Sequence, residues 1–173
     1  GRGMGACYVR GFLAEGAKIV ALDYVWGSTG VSYDKDESYT EEIRSRNDVL
    51  IVTADITSDA QVRDAYEAAM KRFGTVDVLV NNAAVNKPDN FATTTDKSWD
   101  WVVDTNVGGL FAVTKPFYKQ MIREKAGSIL NITSVGAIRS LPTSVHYATS
   151  KAAMIGFTKC LAREASNFNI SVN

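Results

Sequence analysis

The stretch VLIVTADITSDAQVRDAYEAAMKRFGTVDVLV, residues 49–80, decides the fold class. It opens on one β-branched run, Val49 to Ala54, and closes on another, Val76 to Val80, both of strand length. Between them Ser58-Asp59-Ala60-Gln61 has the form of a capping box, a serine followed three residues later by a glutamine. Val62, Ala65, Tyr66, Ala69 and Phe73 then fall on one face of a helix, and Gly74 stands where that helix should end. Strand, helix and strand in this order make a crossover unit, which predicts parallel pairing and an α/β fold.

The alternation continues in both directions. Upstream, Val9, Phe12 and Leu13 have helical spacing, Gly16 ends the helix, and Lys18-Ile19-Val20-Ala21-Leu22 reads as a strand. From Tyr24 to Thr40 there is no clear period, a long connection for an α/β unit, and a short helix is expected before Val49. Downstream, a loop runs to Thr95, and a long helical region carries Trp99, Val102, Val103, Leu110 and Phe111, with a kink expected at Pro116. Ser128 to Ile132 reads as the next strand and Val145 to Ala165 as the last helix, and Ile170-Ser171-Val172-Asn173 looks like a strand beginning.

Composition narrows the function classes. The 173 residues, 46% hydrophobic, supply one core, so a single domain spanning 1–173 is expected. Lys+Arg and Asp+Glu number 19 each, which disfavours electrostatic binding to nucleic acid or to an anionic membrane. Cys7 and Cys160 are too few for a disulfide framework or a zinc site, so a reducing cytoplasm is the expected setting. No apolar run approaches the ~18 residues of a membrane span. The only histidine, His146, has no metal-ligand neighbours in sequence and is expected at a pocket edge or the surface. The chain opens on Gly1-Arg2-Gly3 without an initiator Met, and both ends read as cut.

Tyr147 and Lys151 stand at i and i+4 on the last predicted helix, one turn apart on the same face. A free phenol ionises near pH ~10, and a neighbouring ammonium favours its charged form, so the pair suits acid-base chemistry. The spacing alone is unspecific. It gains meaning from Ser134, which ends the predicted strand in Asn131-Ile132-Thr133-Ser134, 13 positions before Tyr147.

With these residues the sequence resembles the short-chain dehydrogenase/reductase family. The motifs run in order along the chain: Gly3-Met4-Gly5, Asp23, Asp55, Asn81-Asn82-Ala83-Ala84, Asn106, Ser134 and Tyr147-Ala148-Thr149-Ser150-Lys151. The resemblance implies a doubly wound, Rossmann-like parallel sheet in three α/β/α layers, incomplete at both ends here. It also implies hydride transfer between a nicotinamide cofactor and a secondary alcohol or ketone. Tyr147 would exchange the proton with the substrate oxygen, and Lys151 would favour the phenolate and hold the nicotinamide ribose. Ser134 would hydrogen-bond the substrate oxygen, and Asn106 would order a water behind Lys151. Each has a plainer reading: Ser134 as a helix cap, Asn106 as a packing group, Lys151 on a solvated face, Tyr147 at a core edge.

For the cofactor, Arg2, Gly3, Met4 and Gly5 match part of the family's glycine-rich turn at a helix N-terminus, where backbone can approach a pyrophosphate. Asp23, 18 residues after Gly5, would accept hydrogen bonds from the adenosine ribose and repel a 2′-phosphate, which favours NAD over NADP. Arg2 pulls toward NADP. Asp55 and Ile56 would meet the adenine, and Asn82, Ala83 and Ala84 would line the nicotinamide side. Ala84 stands where the family commonly has glycine, so a positive φ there would be strained. The family pattern further implies a homodimer or homotetramer through the long helices. Two alternatives stand beside this reading. A non-catalytic nucleotide-binding or scaffold member is countered by the complete set of Asn106, Ser134, Tyr147 and Lys151, whereas the 173 residues alone, reading as cut at both ends, are expected to be weakly active or inactive. A sugar-nucleotide epimerase shares the Tyr/Lys pair, but its Gly-x-x-Gly-x-x-Gly pattern fits Gly3-Met4-Gly5 poorly.

Overall fold

The computed structural model of the chain describes residues 3–26, 37–139 and 142–173. The chain divides into two units, Gly1–Thr75 and Val76–Asn173. The first contains, in order, α1 (Gly3–Ala14), β1 (Ile19–Asp23), α2 (Glu37–Arg44), β2 (Val49–Thr53) and α3 (Asp59–Phe73). Gly16, at φ 81°, turns the chain out of α1 and brings the N–H of Ala17 back to the Phe12 carbonyl at 3.0 Å. β1 then pairs in parallel with β2, from Ile19 opposite Val49 to Asp23 opposite Thr53. Ala6, Ala21, Ile43 and Val49 form the buried core of this unit, with Val9, Leu13, Ile19, Trp26 and Ile51 packed around it.

The capping box before α3 is half realised. Ser58 Oγ accepts the Gln61 N–H at 3.5 Å, and Gly74, at φ 82°, closes the other end with its N–H on the Met70 carbonyl at 2.8 Å. The Ser58 N–H is already satisfied by the Asp55 carbonyl at 3.1 Å, so Gln61 sends its Oε1 instead to the Asp55 N–H, at 2.8 Å. The loop after β2 is thereby tied to the helix whose Val62, Ala65 and Ala69 are buried.

The second unit contains β3 (Val78–Asn81), α4 (Asp96–Val103), α5 (Gly109–Glu124), β4 (Gly127–Asn131), α6 (Val145–Ala165) and β5 (Ile170–Val172). Its three strands are parallel in the order β3-β4-β5, with Val78 opposite Ser128 and Ser128 opposite Ser171. Met121, Ile129, Ala165, Ile170 and Val172 form its core, flanked by Leu79, Tyr118, Ile122, Leu161 and Phe168. Parallel sheets with helical connections are the α/β, Rossmann-like arrangement the sequence predicts.

The helical region divides at Asp104–Gly108, a π-helical turn between α4 and α5, and α5 extends across Pro116. One local expectation is corrected. His146 is fully buried. Residues 27–36 of the long connection, Asp34 and Asp36 among them, lie outside the described residues, as do Ser140 and Leu141.

Candidate active site

β3 and β4 end side by side, with Asn81 opposite Asn131. Their side chains form a polar ladder: Asn81 Nδ2 donates to Asn131 Oδ1 at 2.8 Å and to Thr114 Oγ1 at 3.0 Å, and Asn131 Nδ2 donates to Thr158 Oγ1 at 2.9 Å. This fixes the register and hence where each strand releases its chain. β4 gives way to Ile132, Thr133 and Ser134. Ser134 is extended, at φ −152° and ψ 155°, and its Oγ accepts the Gly136 N–H at 3.1 Å, starting the short turn Val135–Ala137. The capping reading of Ser134 is therefore real, and it leaves the hydroxyl hydrogen available to a second partner.

α6 packs against this turn. From it Lys151 reaches back to the end of β4: Nζ donates to the Ile132 carbonyl at 2.8 Å and lies 3.4 Å from Met154 Sδ, while the Lys151 carbonyl accepts Thr133 Oγ1 at 2.9 Å. Only 2% of Lys151 is exposed, so it is no solvated face, and burial holds its ammonium below the ordinary lysine range. Nζ lies 5.8 Å from the centre of the half-buried Tyr147 ring, within reach of a cation–π attraction.

Asn106 sits in the π turn, 2% exposed, and its amide makes three hydrogen bonds. Oδ1 accepts the Val85 N–H at 2.8 Å, and Nδ2 donates to the Val85 carbonyl and to Ser150 Oγ, each at 2.9 Å. Ser150 Oγ in turn donates to the Tyr147 carbonyl at 2.7 Å. Asn106 thus clamps the segment after β3 to the helix bearing Tyr147 and Lys151. Ser150, Val85 and Thr133 carry parts of this framework that sequence reasoning missed. Only the place of Ser150 inside the Tyr-to-Lys motif could have pointed to one of them.

Beside these, Asn82 follows β3, and its Oδ1 is buried without a hydrogen-bond partner among the described residues. Ala83 and Ala84 are exposed, and Ala84 keeps out of the left-handed region, so its methyl is unstrained. Within the first unit, Gly3 begins α1 at φ 55°, and apart from its chain neighbours and the backbone of its own helix no atom of the described residues lies within 4 Å of where a Cβ would stand. Met4 is 59% exposed, and Gly5 precedes the buried Ala6. Asp23 ends β1 with its Oδ1 3.4 Å from the Val25 N–H. Past β2, Asp55 Oδ1 accepts the Thr57 N–H and hydroxyl at 2.8 and 2.7 Å, and Ile56 is buried. Arg2 lies outside the described residues. No group of three or more His, Cys, Asp or Glu side chains among the described residues is placed to hold a metal.

Parallel sheets with polar side chains gathered past the carboxyl ends of their strands define the class of α/β proteins that bind small ligands at that edge. The chain belongs to the short-chain dehydrogenase family, an oxidoreductase family whose model it matches over residues 1–173. It is 35% identical over 162 residues to a 3-oxoacyl-[acyl-carrier-protein] reductase, FabG, of Staphylococcus epidermidis, covering 93% of this chain and 64% of that protein. It is 35% identical over 174 residues to an acetoacetyl-CoA reductase of an Acinetobacter species, covering 99% of this chain and 67% of the relative. A Synechocystis 3-oxoacyl-[acyl-carrier-protein] reductase is 32% identical over 172 residues, covering 99% and 68%. The chain therefore spans about two thirds of the length of these relatives. No helix among the described residues is long and apolar enough to cross a membrane.

Proposed function

We infer that this chain is the catalytic part of a nicotinamide-dependent oxidoreductase that interconverts a secondary alcohol and a ketone, with 3-oxoacyl thioesters the first substrates to test. The observation that carries the reading is Lys151, buried at the end of β4 with its ammonium 5.8 Å from the Tyr147 ring. A buried ammonium against the phenol ring brings the two groups of the pair together, the arrangement that an acid-base role for Tyr147 needs. Tyr147 Oη donates to the substrate oxygen during reduction and takes the proton back during oxidation. The free hydroxyl hydrogen of Ser134 bonds the same oxygen where negative charge develops. Ile132 and Met154 occupy two of the three Lys151 donors, and the third is left for a ribose hydroxyl or a relay water. Asn106, in the π turn, is the residue that would order such a water. The thioester substrates are suggested by the names of the relatives.

The nicotinamide supplies the hydride when bound. One feature of the chain fits it: the buried Oδ1 of Asn82, without a partner among the described residues, calls for a donor. Asp23 favours NAD. The whole of 1–173 is read as one partial NAD(P)-binding catalytic domain. It would form a homodimer or homotetramer through α4 and α5, where Trp101 and Phe111 are 48% and 54% exposed. A cytoplasmic setting suits the free cysteines Cys7 and Cys160. The test is reduction of acetoacetyl-CoA with NADH and with NADPH, for the chain and for Tyr147→Phe. Turnover lost in the variant, with tryptophan quenching by the nucleotide retained, supports the reading. Turnover that survives the substitution overturns it.

A further inference from the structure

We propose that His146 is a positioning residue of this reaction centre, its ring holding the main-chain N–H of Tyr147 and so fixing the first turn of the helix that presents the phenol. The inference rests on the reading of Tyr147 as the proton donor.

The first turn of a helix has N–H groups with no partner inside the helix, usually taken by the side chain of the preceding residue. At α6 that residue is Ser144, buried at 5%, and its side chain makes no capping bond. The capping task falls instead to a residue already inside the helix: His146 Nδ1 accepts the Tyr147 N–H at 2.9 Å. On the other side of the same α-carbon, the Tyr147 carbonyl accepts Ser150 Oγ at 2.7 Å, itself held by Asn106. Both peptide groups flanking the Tyr147 side chain are thus tied to buried side chains. A turn of the helix start about its axis, which would swing the phenol, drives the fully buried imidazole from its seat and breaks the bond from Asn106 to Ser150.

The imidazole makes this contact at a cost. It is fully buried, and its Nε2 has no hydrogen-bond partner among the described residues. An apolar side chain of similar size would fill the volume without stranding a polar atom. What such a side chain lacks is the lone pair that Nδ1 offers to Tyr147. Because Nδ1 accepts, the ring proton must sit on Nε2, which makes the arrangement readable by spectroscopy. The approach to α6 is constrained as well. Thr143 has a φ of 61°, in the left-handed region, and its carbonyl accepts the Asp89 N–H at 2.7 Å.

Nitrogen-15 spectra of the histidine ring and hydrogen exchange of the Tyr147 amide test the contact in the wild-type chain without reference to activity. An unprotonated Nδ1, a protonated Nε2 and a Tyr147 amide that exchanges about fivefold or more slower than in His146→Leu are expected. A proton on Nδ1, or an amide that exchanges alike in both proteins, overturns the proposal. Kinetics then test its consequence. His146→Leu should lower kcat about tenfold with KM for the nucleotide within about twofold, and His146→Asn, whose side-chain oxygen can still accept the N–H, should recover most of kcat. Equal losses in both variants, or a loss confined to KM, would count against positioning. If wild type turns over no 3-oxoacyl thioester with either nucleotide, the functional reading fails, while the spectra still decide whether His146 holds Tyr147.

Discussion

Asn106 and Ser150, 44 residues apart in sequence, meet through a 2.9 Å bond from Nδ2 to Oγ that joins the π turn to the helix of the candidate catalytic pair. The same amide pins both main-chain groups of Val85. Asn106→Ala strands several buried polar groups together and should cost about 2–4 kcal/mol of unfolding free energy by urea titration. Asn106→Asp should be worse at neutral pH, since a carboxylate oxygen would then face the Val85 carbonyl and carry a buried, unpaired charge. A near-wild-type midpoint for the alanine variant would show that the clamp contributes little.

Lys151 gives a pH dependence with a definite sign. Burial lowers its pKa from the ordinary 10.5, so the folded chain gives up this proton at a lower pH than the unfolded chain does. Between the two values the unfolded state binds more protons, and stability from this group rises with pH. Lys151→Met removes the titration while also leaving the Ile132 carbonyl unpaired, so the offset between the two proteins mixes two effects. Their difference along pH isolates one. Wild type should gain on Lys151→Met as pH climbs toward 10.5, measured as the gap between paired thermal midpoints. A gap that stays flat, or that moves against wild type as pH rises, would mean that the ammonium is not penalised by burial.

Much of this architecture was readable because its causes are local. Ser58 and Gly74 mark the two ends of α3 by their own capping chemistry, and the run Val145 to Ala165 has the limits seen in α6. The π turn was not readable, because its partners Val85 and Ser150 are 21 and 44 residues away, while Pro116 was the irregularity visible in the sequence. His146 was misjudged for a related reason. A lone polar residue carries no local sign of burial, and its contact depends on Ser144 leaving the Tyr147 N–H uncapped. The Tyr147/Lys151 spacing was plain, yet the route by which Lys151 reaches the end of β4 exists only in the folded chain.

Gly127 begins β4 with no room for a side chain. A Cβ there would lie 2.5 Å from both Cγ and Sδ of Met121 and 2.9 Å from its Cβ. Met121 is itself fully buried, so it cannot swing into solvent to make space. Gly127→Ala should therefore destabilise the chain by about 1–3 kcal/mol, the usual cost of overpacking a core. Trimming the neighbour should relieve it: Gly127→Ala with Met121→Val should lose less than the sum of the two single changes. Strict additivity in denaturant titrations would mean that the two sites do not clash.

Asp23 ends β1 opposite Thr53, and its carboxylate is the group proposed to choose between nucleotides. An ionised carboxylate accepts hydrogen bonds from two ribose hydroxyls, and it repels a phosphate on the 2′ oxygen. Asp23→Ser keeps a short polar side chain at the strand end while removing the charge. NADH should then bind more weakly and NADPH more tightly, moving the ratio of their Kd values about tenfold toward NADPH, a modest fraction of what an unscreened charge pair at contact would give. Tryptophan quenching titrations of both proteins with both nucleotides measure the ratio directly. The shift should shrink as salt is raised, because it is electrostatic in origin. An unchanged ratio at low salt would remove Asp23 from the choice of cofactor and leave Arg2, the one basic residue in the glycine-rich turn, as the group to alter next.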